Sequence, residues 1–187
     1  MSPDRTEDDV RDLLMKVLYG CVGVEGSWRG EGRFASFDIT GRLGSARCRA
    51  EGALGYKLPG GDTLSHKADI LITATGGSVG EAGTRYVALE VKHLSAVTDA
   101  FKGRAYDMLH LKQTFGTQLL GILVYVRALN GLSFTQAEKI CYPYDRFISI
   151  EFSKIREPGS LGEVVRTVAK EIGVALPSRA ATSGEAG

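Results

Sequence analysis

Cysteine is scarce in this chain, and the little that is present excludes two kinds of small scaffold. Cys21, Cys48 and Cys141 are odd in number and scattered across 187 residues. They spell neither a zinc-ligand pattern nor a disulfide framework, and read as free thiols. Histidine is equally scarce, with three residues, and forms no His-Cys cluster that would support zinc. Apolar runs stay well short of the roughly 18 residues that mark a membrane span. Residues 1–9 are too acidic for a signal peptide and contain no apolar stretch. The expectation is therefore a cytoplasmic protein with no membrane association. A strong charge balance is missing as well. Lys and Arg number 23 against 22 Asp and Glu, a formal net charge of +1, so any phosphate-binding surface must be local. Two signatures of other chemistries are absent. Gly76-Gly77-Ser78-Val79-Gly80 lacks the Lys-Ser/Thr of a P-loop and does not lead into a helix. Neither a Gly-x-Ser-x-Gly elbow nor a catalytic Cys-His pairing is apparent.

What remains is an ordinary globular composition, 43% hydrophobic and 24% charged. The length suits one domain with a real core, here 1–176, followed by a small, polar, flexible tail at 177–187. A first helix is predicted over about Thr6 to Tyr19, with Val10, Leu13, Leu14, Val17 and Leu18 as its apolar stripe and Gly20 as its stop. Glycine-punctuated strands are predicted at Arg33 to Thr40 and Ala46 to Glu51, and better ones at Ala68 to Ala74 and Arg85 to Lys92. A helix over Ala96 to Phe115 ends at Gly116. The run Leu119-Leu120-Gly121-Ile122-Leu123-Val124-Tyr125-Val126 suits a strand buried on both faces. A short helix from Ser133, a strand at Phe147 to Phe152 and a last helix with a Ser160–Glu163 capping box complete the order. That order predicts a mixed sheet flanked by helices, a three-layer α/β/α sandwich.

Charged side chains inside the two best strands are the informative anomaly. Asp69 sits in Ala68-Asp69-Ile70-Leu71-Ile72, and Glu90 and Lys92 sit in Val87-Ala88-Leu89-Glu90-Val91-Lys92. Burying charge costs free energy unless it is compensated. Strand alternation puts Glu90 and Lys92 on one face and Val87, Leu89 and Val91 on the other. With the connecting loop centred between Val79 and Gly80, position 69 falls opposite position 90. Opposed Cβ atoms lie about 4.5–5.5 Å apart, so the two carboxylates repel unless a divalent cation joins them. Mg²⁺ suits such a place, since one or two carboxylates, waters and a substrate phosphate complete its shell. A nearby ammonium stabilises developing negative charge or positions an attacking hydroxide. The alternative is a plain salt bridge at the open end of a sheet.

Asp69, followed after twenty residues by Glu90-Val91-Lys92, resembles the signature of the PD-(D/E)XK nuclease superfamily, which includes type II restriction endonucleases, Holliday-junction resolvases and RecB-like exonucleases. The strand-loop-strand-helix-strand order around it is similar, and the likeness covers about Thr6 to Arg127. Ala68 stands where the motif has proline. The resemblance implies a restriction endonuclease-like fold and a Mg²⁺- or Mn²⁺-dependent nuclease acting on DNA. It makes Asp69 and Glu90 the metal ligands, the Val91 carbonyl a further ligand and Lys92 the catalytic lysine. Members often add a glutamate from the first helix, and Glu7 shares that helix's apolar stripe. Glu25 and Glu51 are alternatives to it.

Nucleic-acid contacts are expected from the local basic segment around Arg29, Arg33, Arg47 and Arg49, and from Lys102, Lys112 and Gln113 on the helix after the motif. Cutting both strands of a duplex calls for two active sites, which makes a homodimer the expected assembly. Two further readings stay open. One is a catalytically idle nucleic-acid-binding or assembly module of the same fold. The other is a nuclease specific for RNA or branched DNA.

Overall fold

The computed structural model describes residues 9–11, 13–15, 38–43, 46–52, 58, 60–62, 68–75, 84–93, 98–127, 142–155 and 160–171. Its centre is one six-stranded sheet, β1 (Asp38–Leu43), β2 (Ala46–Gly52), β3 (Ile70–Thr75), β4 (Thr84–His93), β5 (Leu119–Arg127) and β6 (Arg146–Glu151), arranged in that order. The pairings from β1 to β4 are antiparallel, and β4–β5 and β5–β6 are parallel. A parallel pair needs a crossover, and helix α1 (Thr98–Phe115) supplies it between β4 and β5, lying against both. Helix α2 (Gly162–Glu171) closes the described chain. The fold is thus α/β, with a mixed sheet and helices. No described helix is long and apolar enough to cross a membrane.

Two apolar clusters, one on each face of the sheet, hold these elements together. On the first face, Val87, Leu89 and Val91 of β4 meet Ile122, Val124 and Val126 of β5, and α2 covers them with Val164, Val165, Val168 and Ala169. Val10, Leu14 and Met15 from the helical residues 9–11 and 13–15 join the same cluster. On the second face, Tyr86 and Ala88 of β4 and Leu119, Leu123 and Tyr125 of β5 pack under Met108, Leu111 and Phe115 of α1. Strand β5 feeds both clusters, which is why its sequence is apolar without alternation.

The predicted elements fall close to the observed ones, with three informative differences. The first strand, predicted at Arg33 to Thr40, is described over Asp38–Leu43, past its predicted end, so that only 44–45 stand between it and β2, and 33–37 lie outside the described residues. The last helix begins at Gly162, and the Ser160 hydroxyl donates to the Ile155 carbonyl at 3.0 Å instead of forming the predicted capping box. Strand β3 begins at Ile70, one residue after Asp69. The short helix predicted from Ser133 and the C-terminal tail lie outside the described residues. Gly116 ends α1 in the left-handed conformation, φ +61°, as its position past the last periodic residue predicts.

Gly121 sets how closely α1 can approach the sheet. A Cβ there would stand 2.7 Å from the sulfur of Met108 and 3.3 Å from its Cγ. Valine at this position must displace Met108 and overpack the contact between α1 and β5. Gly121→Val is expected to cost about 1–3 kcal/mol. Urea denaturation reads this as a lowered midpoint at unchanged m-value. Unchanged stability would mean that Met108 swings aside freely and that the close approach is not a constraint.

Candidate functional site

The β3–β4 hairpin has the register that the sequence predicts. Ile70 pairs with Leu89, Leu71 with Ala88, and so on to Thr75 with Thr84. The same numbering carried one step further sets Asp69 against Glu90, but the backbone ladder stops before that step. The reason is a side chain. Asp69 Oδ2 accepts the N–H of Val91 at 2.7 Å, in a buried position. A continuing ladder would give that N–H to a backbone carbonyl of the neighbouring strand. The aspartate carboxylate takes it instead, as Asp side chains commonly do where they compete with the main chain. The carboxylate is thereby fixed beside the residue that lies between Glu90 and Lys92.

Glu90 and Lys92 project from β4 onto the face covered by α1, with Ala88 and Tyr86 two and four residues earlier on the same face. Asp69, Glu90 and Lys92 are 8%, 1% and 7% exposed, and they are the buried polar or charged residues of the described structure. The Lys92 ammonium lies 3.7 Å from Glu90 Oε1, too far for a hydrogen bond but close for Coulomb attraction in a buried setting. Among the described residues no three His, Cys, Asp or Glu side chains converge. The acidic part of the site is therefore the Asp69–Glu90 pair.

Sequence reasoning missed one member of this cluster. Arg104 of α1 sets its Nε 2.9 Å from Glu90 Oε1, and its side chain is 31% exposed. The helix pattern held the signal for it. Arg104, Met108, Leu111 and Phe115 follow one another at intervals of four, three and four residues, and the last three are buried against the sheet. An arginine on the buried stripe of a helix has to meet a counter-charge, and here it meets Glu90. With Arg104 included, Glu90 has two cations near it, Lys92 and Arg104.

Tyr144 completes the surroundings. Its hydroxyl donates to the Arg104 carbonyl at 3.2 Å, tying the segment before β6 to α1. Burial raises the pKa of this phenol well above its usual value. The carboxylates of Glu90, Asp69 and Asp107 push the same way, and Arg104 opposes them. Tyr144 is therefore held as a protonated donor beside the charged cluster.

The other expected site residues are spread more widely. Glu7, Glu25, Arg29 and Arg33 lie outside the described residues. Arg47 and Arg49 occupy β2 opposite Thr75 and Thr73 of β3. Paired positions share a face, so by register these two belong to the face of Tyr86 and Glu90, with Glu51 further along the same strand. Lys102 falls in the first two turns of α1. Lys112 forms an ion pair with Asp145 Oδ1, and Asp145 Oδ2 accepts the Gly121 N–H at 2.8 Å. That ammonium thus holds α1 to the sheet beside the start of β5. Gln113 is exposed near the end of α1.

The donor set fits a hard divalent cation. Asp69 and Glu90 offer carboxylate oxygens, and Mg²⁺ is commonly held by one or two carboxylates together with water and a substrate phosphate. Val91 presents its N–H to the β3 side, and a strand residue turns its N–H and C=O to the same edge, so its carbonyl faces that side too. Comparison with known protein families, with curated proteins and with solved structures returned no match. The resemblance to PD-(D/E)XK nucleases accordingly rests on the sequence motif of Asp69, Glu90 and Lys92.

Proposed function

We propose that this protein is a divalent-cation-dependent nuclease of the PD-(D/E)XK type, with a three-layer α/β/α fold of the restriction endonuclease kind, hydrolysing DNA phosphodiester bonds. One observation carries the proposal. Asp69, from the end of one strand, is hydrogen-bonded to the backbone between Glu90 and Lys92 of the next, and all three charged groups are buried. Burying two carboxylates and an ammonium at one point costs free energy that pairing or a bound cation must offset, and such perturbed clusters concentrate at functional sites.

Asp69 and Glu90 hold Mg²⁺ or Mn²⁺, with the Val91 carbonyl as a further oxygen donor. When bound there, the cation supplies Lewis-acid polarisation of the phosphate and an acidified water. Lys92 stands beside the pair, where its ammonium positions the attacking water and balances the charge that builds on the phosphate oxygens. The Asp69–Val91 hydrogen bond fixes one carboxylate before substrate arrives, so little reorganisation is needed at the moment of reaction. The substrate backbone runs over the face of the sheet on which Arg47 and Arg49 take their register positions. Cleavage of both strands calls for a homodimer.

Incubating supercoiled and linear DNA with the protein and Mg²⁺ or Mn²⁺ tests the proposal. Cleavage that EDTA abolishes is the expected result. Cleavage that persists in EDTA sinks it, and an RNA substrate run alongside decides which nucleic acid is cut. A second reading has one observation in its favour. Arg104 already gives Glu90 a counter-charge with no metal, as an idle nucleic-acid-binding or assembly module would need. DNA retention in a gel shift, with no heat of Mn²⁺ binding in calorimetry, favours that module.

A further inference from the structure

Arg104 does more than a buried counter-charge requires. A guanidinium has five N–H donors in a rigid fork, a shape that fits carboxylate and phosphate alike. Its Nε stands 2.9 Å from Glu90 Oε1 as an ion pair, yet the side chain keeps 31% of its surface exposed. Its backbone is held independently, since the Arg104 carbonyl accepts the Tyr144 hydroxyl at 3.2 Å. The helix position is therefore fixed independently of the ion pair, while the Arg104 side chain is only partly buried. A divalent cation at Glu90 must also contend with this positive charge at the same oxygen, and like charges at such separation repel strongly away from bulk water.

We propose that Arg104 is a phosphate ligand of this site, which rests on Glu90 in the metal-free protein and transfers to a phosphate oxygen of the nucleic-acid backbone when a divalent cation takes Glu90. The proposal rests on the reading of Asp69 and Glu90 as metal ligands. It has a consequence that a merely structural arginine lacks. Arg104 opposes the metal when substrate is absent and binds substrate when metal is present. Metal and nucleic acid then reinforce each other's binding, with reciprocal coupling.

Calorimetric titration with Mn²⁺ alone, on wild type and Arg104→Gln, tests the first half. Losing a repulsive charge should tighten Mn²⁺ binding about tenfold, on the order of one charge–charge interaction near a protein surface. Plasmid cleavage in saturating Mn²⁺ tests the second half. KM should rise about ten- to hundredfold, the loss of one charge-assisted hydrogen bond. Arg104→Lys keeps the charge without the fork. It should leave Mn²⁺ affinity near wild type and still raise KM, and it carries the test if Arg104→Gln fails to fold. Unchanged or weaker Mn²⁺ binding in a folded Arg104→Gln protein overturns the proposal and leaves the metal reading intact, as does a wild-type KM in Arg104→Lys. Absence of Mn²⁺ binding in wild type removes both.

Discussion

Asp69→Asn is expected to leave a stably folded protein that neither binds Mn²⁺ appreciably nor cuts DNA. The asparagine carbonyl oxygen can still accept the Val91 N–H that Asp69 Oδ2 accepts at 2.7 Å, so the end of β3 stays in place. What disappears is one of the two negative charges that would hold a cation. Lewis-acid stabilisation by a bound metal contributes several kcal/mol, so cleavage should fall by about a thousandfold or more. Asp69→Ala removes the acceptor as well and leaves a buried backbone N–H unsatisfied. It should be less stable than Asp69→Asn by about 1–3 kcal/mol, visible as a lower melting temperature. The two variants separate the proposed functions of one side chain: both should abolish cleavage, and the alanine alone should weaken the fold. An Asp69→Asn protein that cuts at the wild-type rate would show that the nuclease activity lies elsewhere.

The same residue shows how far the sequence can be read. Alternation along β4, with the loop taken as centred between Val79 and Gly80, gives the register that β3 and β4 show, whereas a slip of one residue would put Glu90 and Lys92 on the opposite face from Asp69. Pattern could not show that the ladder ends at Ile70, because that ending is a contest between a side chain and a main-chain carbonyl for the Val91 N–H. Strand β5 was legible for a simple reason: Leu119 to Val126 offers no polar face at all. Arg104 shares a helical stripe with Met108, Leu111 and Phe115, but α1 mixes charged and apolar residues so closely that its buried side does not stand out in the sequence. Lys112, one position past Leu111, reads much the same in sequence and yet finds Asp145 rather than the acidic pair. Which cation of a helix reaches a carboxylate depends on the rotation and depth of the helix over the sheet. The near contact between Gly121 and Met108 helps to set that depth, and no local rule contains it.

Lys92→Met should give the complementary result to Asp69→Asn: metal binding kept, cleavage lost. Methionine retains most of the apolar stem of lysine and fits a buried position, so the packing around β4 survives. Glu90 keeps Arg104 at 2.9 Å as its counter-charge, whereas the lysine it loses stood at 3.7 Å. The remaining cluster holds two carboxylates and one cation, and calorimetry should find Mn²⁺ bound at least as tightly as in wild type. Cleavage should nevertheless drop by about a hundred- to a thousandfold, the usual cost of losing one group aimed at transition-state charge. The decrease should fall on kcat, because an interaction that strengthens only as charge develops contributes little to ground-state binding. Loss of Mn²⁺ affinity in a folded Lys92→Met protein would instead make Lys92 a structural partner of Glu90. The opposite responses of Asp69 and Lys92 to one titration therefore distinguish a metal ligand from a charge that works beside it.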